Sequence, residues 1–271
     1  MNAPRLAPLI FLAAVGCGAE TGNGLDNGLK MQLVGGTSAA LSPRDAARYT
    51  ARDAQGSPLT IQASRVNVRH VEFELPGGKP CAGWDFGTSG LEIKCDSAKF
   101  RIEGPIVFDL ITGAPTPSFA GLRIPPNTYK RVDVRIDDVT SDDTHVPAGD
   151  PLRGASLVAT GSITIAGDDD DDPPVTTPFD LSLRFDEDAR FESAGGITVS
   201  ESGGEDVLLS LDVTQWFANL PITECVKDDD LELVNGRLQI RDRGGKCSAI
   251  ERELKDSIKR GTRLDEEDEE D

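Results

Sequence analysis

Aromatic residues are scarce in this sequence. Trp, Tyr and Phe together make up 5% of 271 residues, with two Trp and two Tyr. A core built from it rests mainly on Ala, Val, Leu and Ile, within an apolar content of 38%. Histidine is limited to His70 and His145, which leaves little material for an imidazole metal site or a His-based acid–base network. Basic residues are outnumbered 28 to 47, for a formal net charge of −19. No basic stripe is visible to meet phosphates, so no nucleic-acid partner is expected. Gly-x-Ser-x-Gly, His-Glu-x-x-His and phosphate-cradling Gly-rich patterns are all missing. No catalytic residue is assigned, and the chain reads as a non-enzyme. Carboxylates are numerous enough to furnish a hydrolase pair of the glycosidase kind, the remaining enzymatic alternative, but no spacing marks two of them as partners.

What is present begins at the N-terminus. Arg5 precedes an apolar run, Leu6–Val15, of ten residues. A bilayer core needs about 20 apolar residues, so this run suits a cleaved signal rather than a span. Ala13, Ala14 and Gly16 lead into Cys17, and Ala14-Val15-Gly16-Cys17 resembles a bacterial lipobox. The expectation is a lipoprotein signal over 1–16, with Cys17 lipidated as the mature N-terminus. Cysteine arithmetic agrees: five Cys leave an even four once Cys17 is set aside, and an odd Cys in an exported chain calls for an explanation. Cleavage at the same small residues by an ordinary signal peptidase is the alternative. Gly18, where Asp would resemble an inner-membrane retention signal, points to the outer membrane of the cell envelope. Residues 17–29 are rich in Gly, Asn and Thr without a hydrophobic period, the composition of a flexible tether.

The acidity is concentrated. Asp168–Asp172 holds five carboxylates and Asp265–Asp271 holds seven. The latter reads as a disordered tail.

Between tether and tail, short alternating runs separated by Gly, Pro, Asp and Asn give the period of half-buried strands. Strands are expected around Leu29–Leu33 and over Thr60–Leu75, Phe100–Glu103, Ile106–Ile111, Thr128–Asp137, Gly154–Ile165, Phe179–Phe185 and Asp206–Val213. Val66 and Val68 alternate on one parity, and Val71, Phe73 and Leu75 on the other. A bulge near His70, or burial on both faces, follows. Asn235-Gly236 between Leu231–Val234 and Leu238–Ile240 marks a two-residue hairpin. The fold class is therefore all-β: an antiparallel, Greek-key-like β-sandwich body over 30–247, with 167–175 as the place where it would divide if it were two units. Helix is confined to short turns over Pro43–Tyr49 and Thr214–Leu220 and to Ser248–Arg260, where Ile250, Leu254 and Ile258 form one stripe. Residues 248–271 are thus helix and acidic tail.

Export permits disulfides. Four Cys allow three pairings, and Cys81–Cys95 with Cys225–Cys247 is favoured because each pair brackets a local unit. Two candidate binding features remain. Asp168, Asp170 and Asp172 offer the hard oxygens that attract calcium, set against a solvated loop whose charges block edge pairing. Acids at Asp137, Asp138, Asp142 and Asp143 would assist if their loop lay nearby. Trp84, inside the Cys81–Cys95 loop, either stacks on a sugar or partner protein or packs over the disulfide as a satellite core. Trp216 and Phe217 read as core.

Four motifs carry a resemblance. Val66–Phe73 reads Val-x-Val-x-x-Val-x-Phe, Val107-Phe108-Asp109-Leu110 an apolar-Asp-Leu strand, Pro126–Val132 a Pro-x-x-Tyr-x-x-Val turn into a strand, and Leu183–Asp186 a Leu-x-Phe-Asp segment. Residues from about 60 to 192 resemble an uncharacterised domain recurrent in bacterial lipoproteins. The Gly usual before the Tyr is replaced here by Asn127-Thr128. The resemblance implies a β-sandwich on a lipid anchor and brings no catalytic residues. The expected role is a non-catalytic binding or structural module of the envelope, reaching the membrane through its lipid and meeting an envelope protein or glycan. A calcium-dependent adhesion or glycan-binding module is the alternative.

Overall fold

Polar–apolar alternation in short runs produces a chain dominated by strands. The computed structural model describes residues 30–35, 49–75, 81, 83–87, 89–167, 171–199, 206–211, 213–241 and 247–261. The signal-like segment, Cys17 and the tether, most of the turn expected from Pro43, Asp168, Asp170 and the acidic tail lie outside the described residues. In chain order the elements are β1 (Lys30–Gly35), β2 (Tyr49–Arg52), β3 (Pro58–Glu74), β4 (Ile93–Cys95), β5 (Lys99–Asp109), β6 (Pro115–Thr116), β7 (Asn127–Ile136) and β8 (Leu157–Ile165). They continue as β9 (Val175–Leu183), β10 (Glu187–Val199), β11 (Asp206–Leu211), α1 (Val213–Ala218), α2 (Ile222–Lys227), β12 (Glu232–Val234), β13 (Arg237–Arg241) and α3 (Ala249–Gly261).

The 17-residue β3 organises the sheet. Its N-terminal half pairs with β2 and β8, and its C-terminal half with β5 and β7. The register places β7 and β8 on the same edge of β3: β7 ends with Ile136 opposite Val68, and β8 begins with Leu157 opposite Val66. The two are one long partner strand, interrupted by residues 137–156. Beside them β9 and β10 repeat the pattern. Leu183 faces Leu157 and Glu187 faces Ile136, with only 184–186 between. β3 itself shifts register at Ile61/Ala63 and at Val68/His70. The second is the bulge expected at His70. Gly104 answers it on β5: a Cβ there would stand 2.3 Å from the Val68 carbonyl oxygen, closer than any side chain permits. Two composite strands, β7–β8 and β9–β10, are thus interrupted in line with the bulge of β3, and that line, the crease, divides the sheet into two wings.

Both wings contribute to one core. Leu59, Ile61 and Phe179 of one wing, and Val71, Phe73, Phe100 and Tyr129 of the other, belong to a single buried cluster. Phe73 stacks on Phe100 at 4.6 Å between ring centroids, and Tyr129 meets both edge-on, a favoured aromatic geometry. Trp216 and Phe217 of α1 are fully buried in the same cluster. Ile250, Leu254 and Ile258 lay the expected apolar stripe of α3 into it.

Pairing is antiparallel in the body except that β13 lies parallel to β9, and β1 parallel to β11 in a separate two-stranded sheet. Parallel neighbours need a long connection. Here β10, β11, α1, α2 and β12 intervene in the first case and nearly the whole body in the second. The Asn235-Gly236 turn joins β12 to β13 with φ of 52° and 75°, the two positive values that a type I′ hairpin needs. Phe100–Glu103 and Ile106–Ile111, expected as two strands, merge into β5 up to Asp109. β8 and β9 pair antiparallel within the one sheet, out to Ile165 opposite Val175.

Both favoured disulfides are present, Cys81–Cys95 and Cys225–Cys247, with Cα–Cα separations of 6.1 and 5.9 Å. The second links α2 to the start of α3 across 22 residues. Loop-closure entropy assigns such a link about 3 kcal/mol. The double variant Cys225→Ser/Cys247→Ser is expected to lose about that much unfolding free energy in urea titrations. An unchanged midpoint would show that α3 is held by its apolar stripe alone.

Candidate functional site

The crease carries the most elaborate loop, residues 137–156 between β7 and β8. Loops of such length without regular structure are uncommon in compact domains and are usually functional. The loop leaves and returns at Asn67. The Asn67 backbone N–H donates to the Ser156 carbonyl at 2.8 Å, and its side-chain amide donates to the Asp137 carbonyl at 2.9 Å. Val139, Val146, Leu152, Ala155 and Val158 form a small core of their own.

Arg153 is the hub. Its Nε–H donates to the Pro147 carbonyl at 3.2 Å, and Nη1 to Thr140 and Ser141 carbonyls at 2.9 and 3.2 Å. Nη2 donates to the Asp143 carbonyl at 2.7 Å and to the Val146 carbonyl. The guanidinium therefore gathers five carbonyls of a segment whose own backbone bonds are scattered turns rather than a strand ladder. Two ion pairs fasten the loop to β3. Arg65 grips Asp150 bidentately at 2.7 and 2.9 Å, and Arg69 reaches Asp143 at 3.0 Å. The Arg65 bonds hold the Asp150 carboxyl below the usual carboxylate range. Beside this frame lies an open cleft of about 440 Å³ lined by Asp138, Thr140, Ser141, Arg153 and Arg184 among others. Arg184, from the break between β9 and β10, pairs with Asp138 at 3.0 Å across it.

These bonds place the acids that the sequence offered as helpers to a cation. Asp143 accepts from the Thr140 N–H at 2.6 Å and hydroxyl at 3.0 Å, Asp137 accepts the Asp138 N–H at 2.8 Å, and Asp138 meets Arg184. Burial pushes the Asp137 carboxyl up. The four acids sit where β8 begins, whereas exposed Asp172 lies in the loop after β8 ends. Nine residues of strand, about 27 Å at about 3.4 Å per step, separate the two loops. They do not come together. Among the described residues no three His, Cys, Asp or Glu side chains converge to hold a metal ion.

His70 lies at the bulge, half-buried, with its pKa lowered by burial and then by Arg101. His145 is exposed in the 137–156 loop. The two histidines are on different elements and make no constellation.

Trp84 occupies a second position of interest. Of the thirteen aromatics among the described residues, eleven are buried and Phe86 is half-buried; Trp84 is 39% exposed. Its half-buried neighbour Phe86 packs against the main core. The loop that carries Trp84 is fixed. Cys81–Cys95 closes it, the Trp84 N–H donates to the Cys81 carbonyl at 3.1 Å, and the Arg123 N–H donates to the Phe86 carbonyl at 2.9 Å. Gly87 bridges to Leu122 so tightly that a Cβ would fall 2.0 Å from the Gly121 carbonyl oxygen. Indole Nε1 donates to the Arg123 carbonyl at 3.4 Å, and Arg123 stands 3.8 Å from Asp85.

No family model, curated protein or solved structure matches the chain. Function is therefore argued from residues.

Sequence reasoning singled out Trp84 and the disulfides but missed Arg153, Arg184 and Asn67. A single Arg carries no periodic signal, and its role exists only once 137–156 has curled around it. Asn67, polar between two core valines, was the one visible clue.

Proposed function

We propose that the chain is a cell-envelope lipoprotein, anchored through a lipid on Cys17 and placed at the outer membrane rather than the inner, whose β-sandwich body is a non-catalytic binding or structural module. The carrying observation is a count. The two disulfides take up four of the five cysteines, and Cys17 is the fifth, directly behind a ten-residue apolar run. Disulfides belong to oxidising compartments, which supports export. No helix of the described residues is long and apolar enough to cross a membrane, and a lipid supplies attachment without one. One acyl chain binds reversibly and several bind stably, so a multiply acylated N-terminus holds the body at the surface.

Expression in bacteria fed labelled palmitate tests this. The wild-type chain takes up label and sediments with membranes, and Cys17→Ser abolishes the label and leaves the protein in the soluble fraction. A wild-type chain that is unlabelled and soluble would overturn the proposal.

A further inference from the structure

We infer that the Trp84 loop is a glycan-binding platform, with the indole as stacking surface and Asp85 and Arg123 as its polar rim. This rests on the binding-module reading above and names the ligand class.

Three observations carry it. The first is the exposure of an aromatic in a chain that buries nearly all the others. Exposed single aliphatics are ordinary on a surface, but a large aromatic left in water is informative. The second is fixation. The disulfide, the Gly87–Leu122 bridge and the bond from Nε1 hold the ring. With the indole N–H engaged by the Arg123 carbonyl at 3.4 Å, the rest of the ring is carbon. A ring already held in place loses little conformational entropy on binding.

The third is the surroundings. A protein interface needs on the order of 1,000 Å² of contact around its anchor. Among the described residues the other exposed large apolar side chains are Val175, Leu233 and Val234, on β9 and β12 of the other wing. What adjoins Trp84 is charge: Asp85, 80% exposed, and Arg123, 47% exposed, paired loosely at 3.8 Å. A flat apolar surface the size of one ring, edged by a carboxylate and a guanidinium, complements a pyranose. Such a sugar has one carbon-hydrogen face and a rim of hydroxyls, which a carboxylate accepts from and a guanidinium donates to. The carboxylate also disfavours docking on anionic lipid.

The test uses the full-length chain with chitotetraose and cellotetraose as probes. Trp216 is fully buried, so acrylamide quenches mainly Trp84. Sugar binding is expected to protect that emission and to release heat in calorimetry. Trp84→Ala is expected to weaken binding at least about tenfold, the factor given by about 1.4 kcal/mol, with the melting temperature unchanged. Asp85→Asn and Arg123→Gln are expected to weaken it about threefold each, and Trp84→Phe to retain part of it. Four results would overturn the inference: no protection or heat with either sugar at millimolar concentration, equal binding by a folded Trp84→Ala, a Trp84 emission shift on phosphatidylcholine–phosphatidylglycerol vesicles in place of sugars, or cross-linking of an envelope protein through this loop without sugar binding. Palmitate labelling reports on the anchor independently. A lipidated chain that ignores sugars loses the platform alone, and a sugar-binding chain without lipid loses the anchor alone.

Discussion

Replacing Asp53 by Ala is expected to destabilise the body by about 3–5 kcal/mol, a large part of the stability of an ordinary domain. Asp53 is 3% exposed. Its Oδ1 accepts from the Gln55 and Ser57 N–H groups at 3.1 and 2.8 Å, closing the turn between β2 and β3. Its Oδ2 accepts from the Thr223 N–H at 2.8 Å, 170 residues away at the start of α2. The Thr223 hydroxyl bonds Ser57 at 2.7 Å, and the Ala54 N–H donates to the Leu220 carbonyl at 3.0 Å beside it. One carboxylate thus ties the first hairpin of the sheet to the helical segment behind it. Ala strands three backbone donors, of which the Thr223 N–H is buried, and an unpaired buried donor costs about 1–3 kcal/mol. Asp53→Asn keeps an acceptor for the turn but turns an amide N–H₂ towards Thr223, and is expected to fall between wild type and Ala. Urea unfolding with equal slopes measures both. A loss below about 1 kcal/mol for Ala would mean that water replaces the carboxylate.

Arg153→Ala is expected to act locally. Five donor contacts to the carbonyls of residues 140–147 vanish together, while β3 and its neighbours keep their ladders. Hydrogen exchange of the Val139, Asp150 and Gly154 amides, which are bonded within the loop, is expected to accelerate about 30-fold or more. That factor corresponds to about 2 kcal/mol of local opening free energy. Arg153→Lys is not expected to rescue it, because an ammonium is a compact donor without the planar fork that bridges separated carbonyls. Unchanged exchange over 138–155 would show that Asn67, the two ion pairs and the small apolar core hold the loop without the hub.

The fold was largely legible in the sequence, and the reasons are local. The bulge at His70 showed as a change of parity between Val68 and Val71, and the hairpin at Asn235-Gly236 showed as a dipeptide suited to positive φ. The α3 stripe showed as three apolar residues four apart. β10 escaped because its alternation is short: Ala189 and Phe191 stand among Glu187, Asp188, Arg190 and Glu192, and the register then shifts between Glu192 and Ile197. α2 escaped because six residues carry no readable period. β5 was read as two strands because Gly104-Pro105 ordinarily interrupts a strand. Here the opposing bulge in β3 takes up the irregularity. The candidate sites were legible only as residue types. The exposure of Trp84 depends on Phe86, rather than its neighbour, filling the space near Phe100, which no spacing encodes. That Asp172 and the acids at 137–143 lie at opposite ends of β8 is a matter of register, invisible before the strands are paired.

The crease also divides tolerance to changes in chain length. A residue added within 137–156 falls in the break between β7 and β8 and turns no side chain of either strand from one face to the other. A residue added in the middle of β3 has no such refuge. Every position beyond it changes face, carrying Val71 and Phe73 out of the core and Glu72 into it. Of the two strands that run side by side through the centre of this sheet, one is expected to absorb a change of length at its break and the other to resist it.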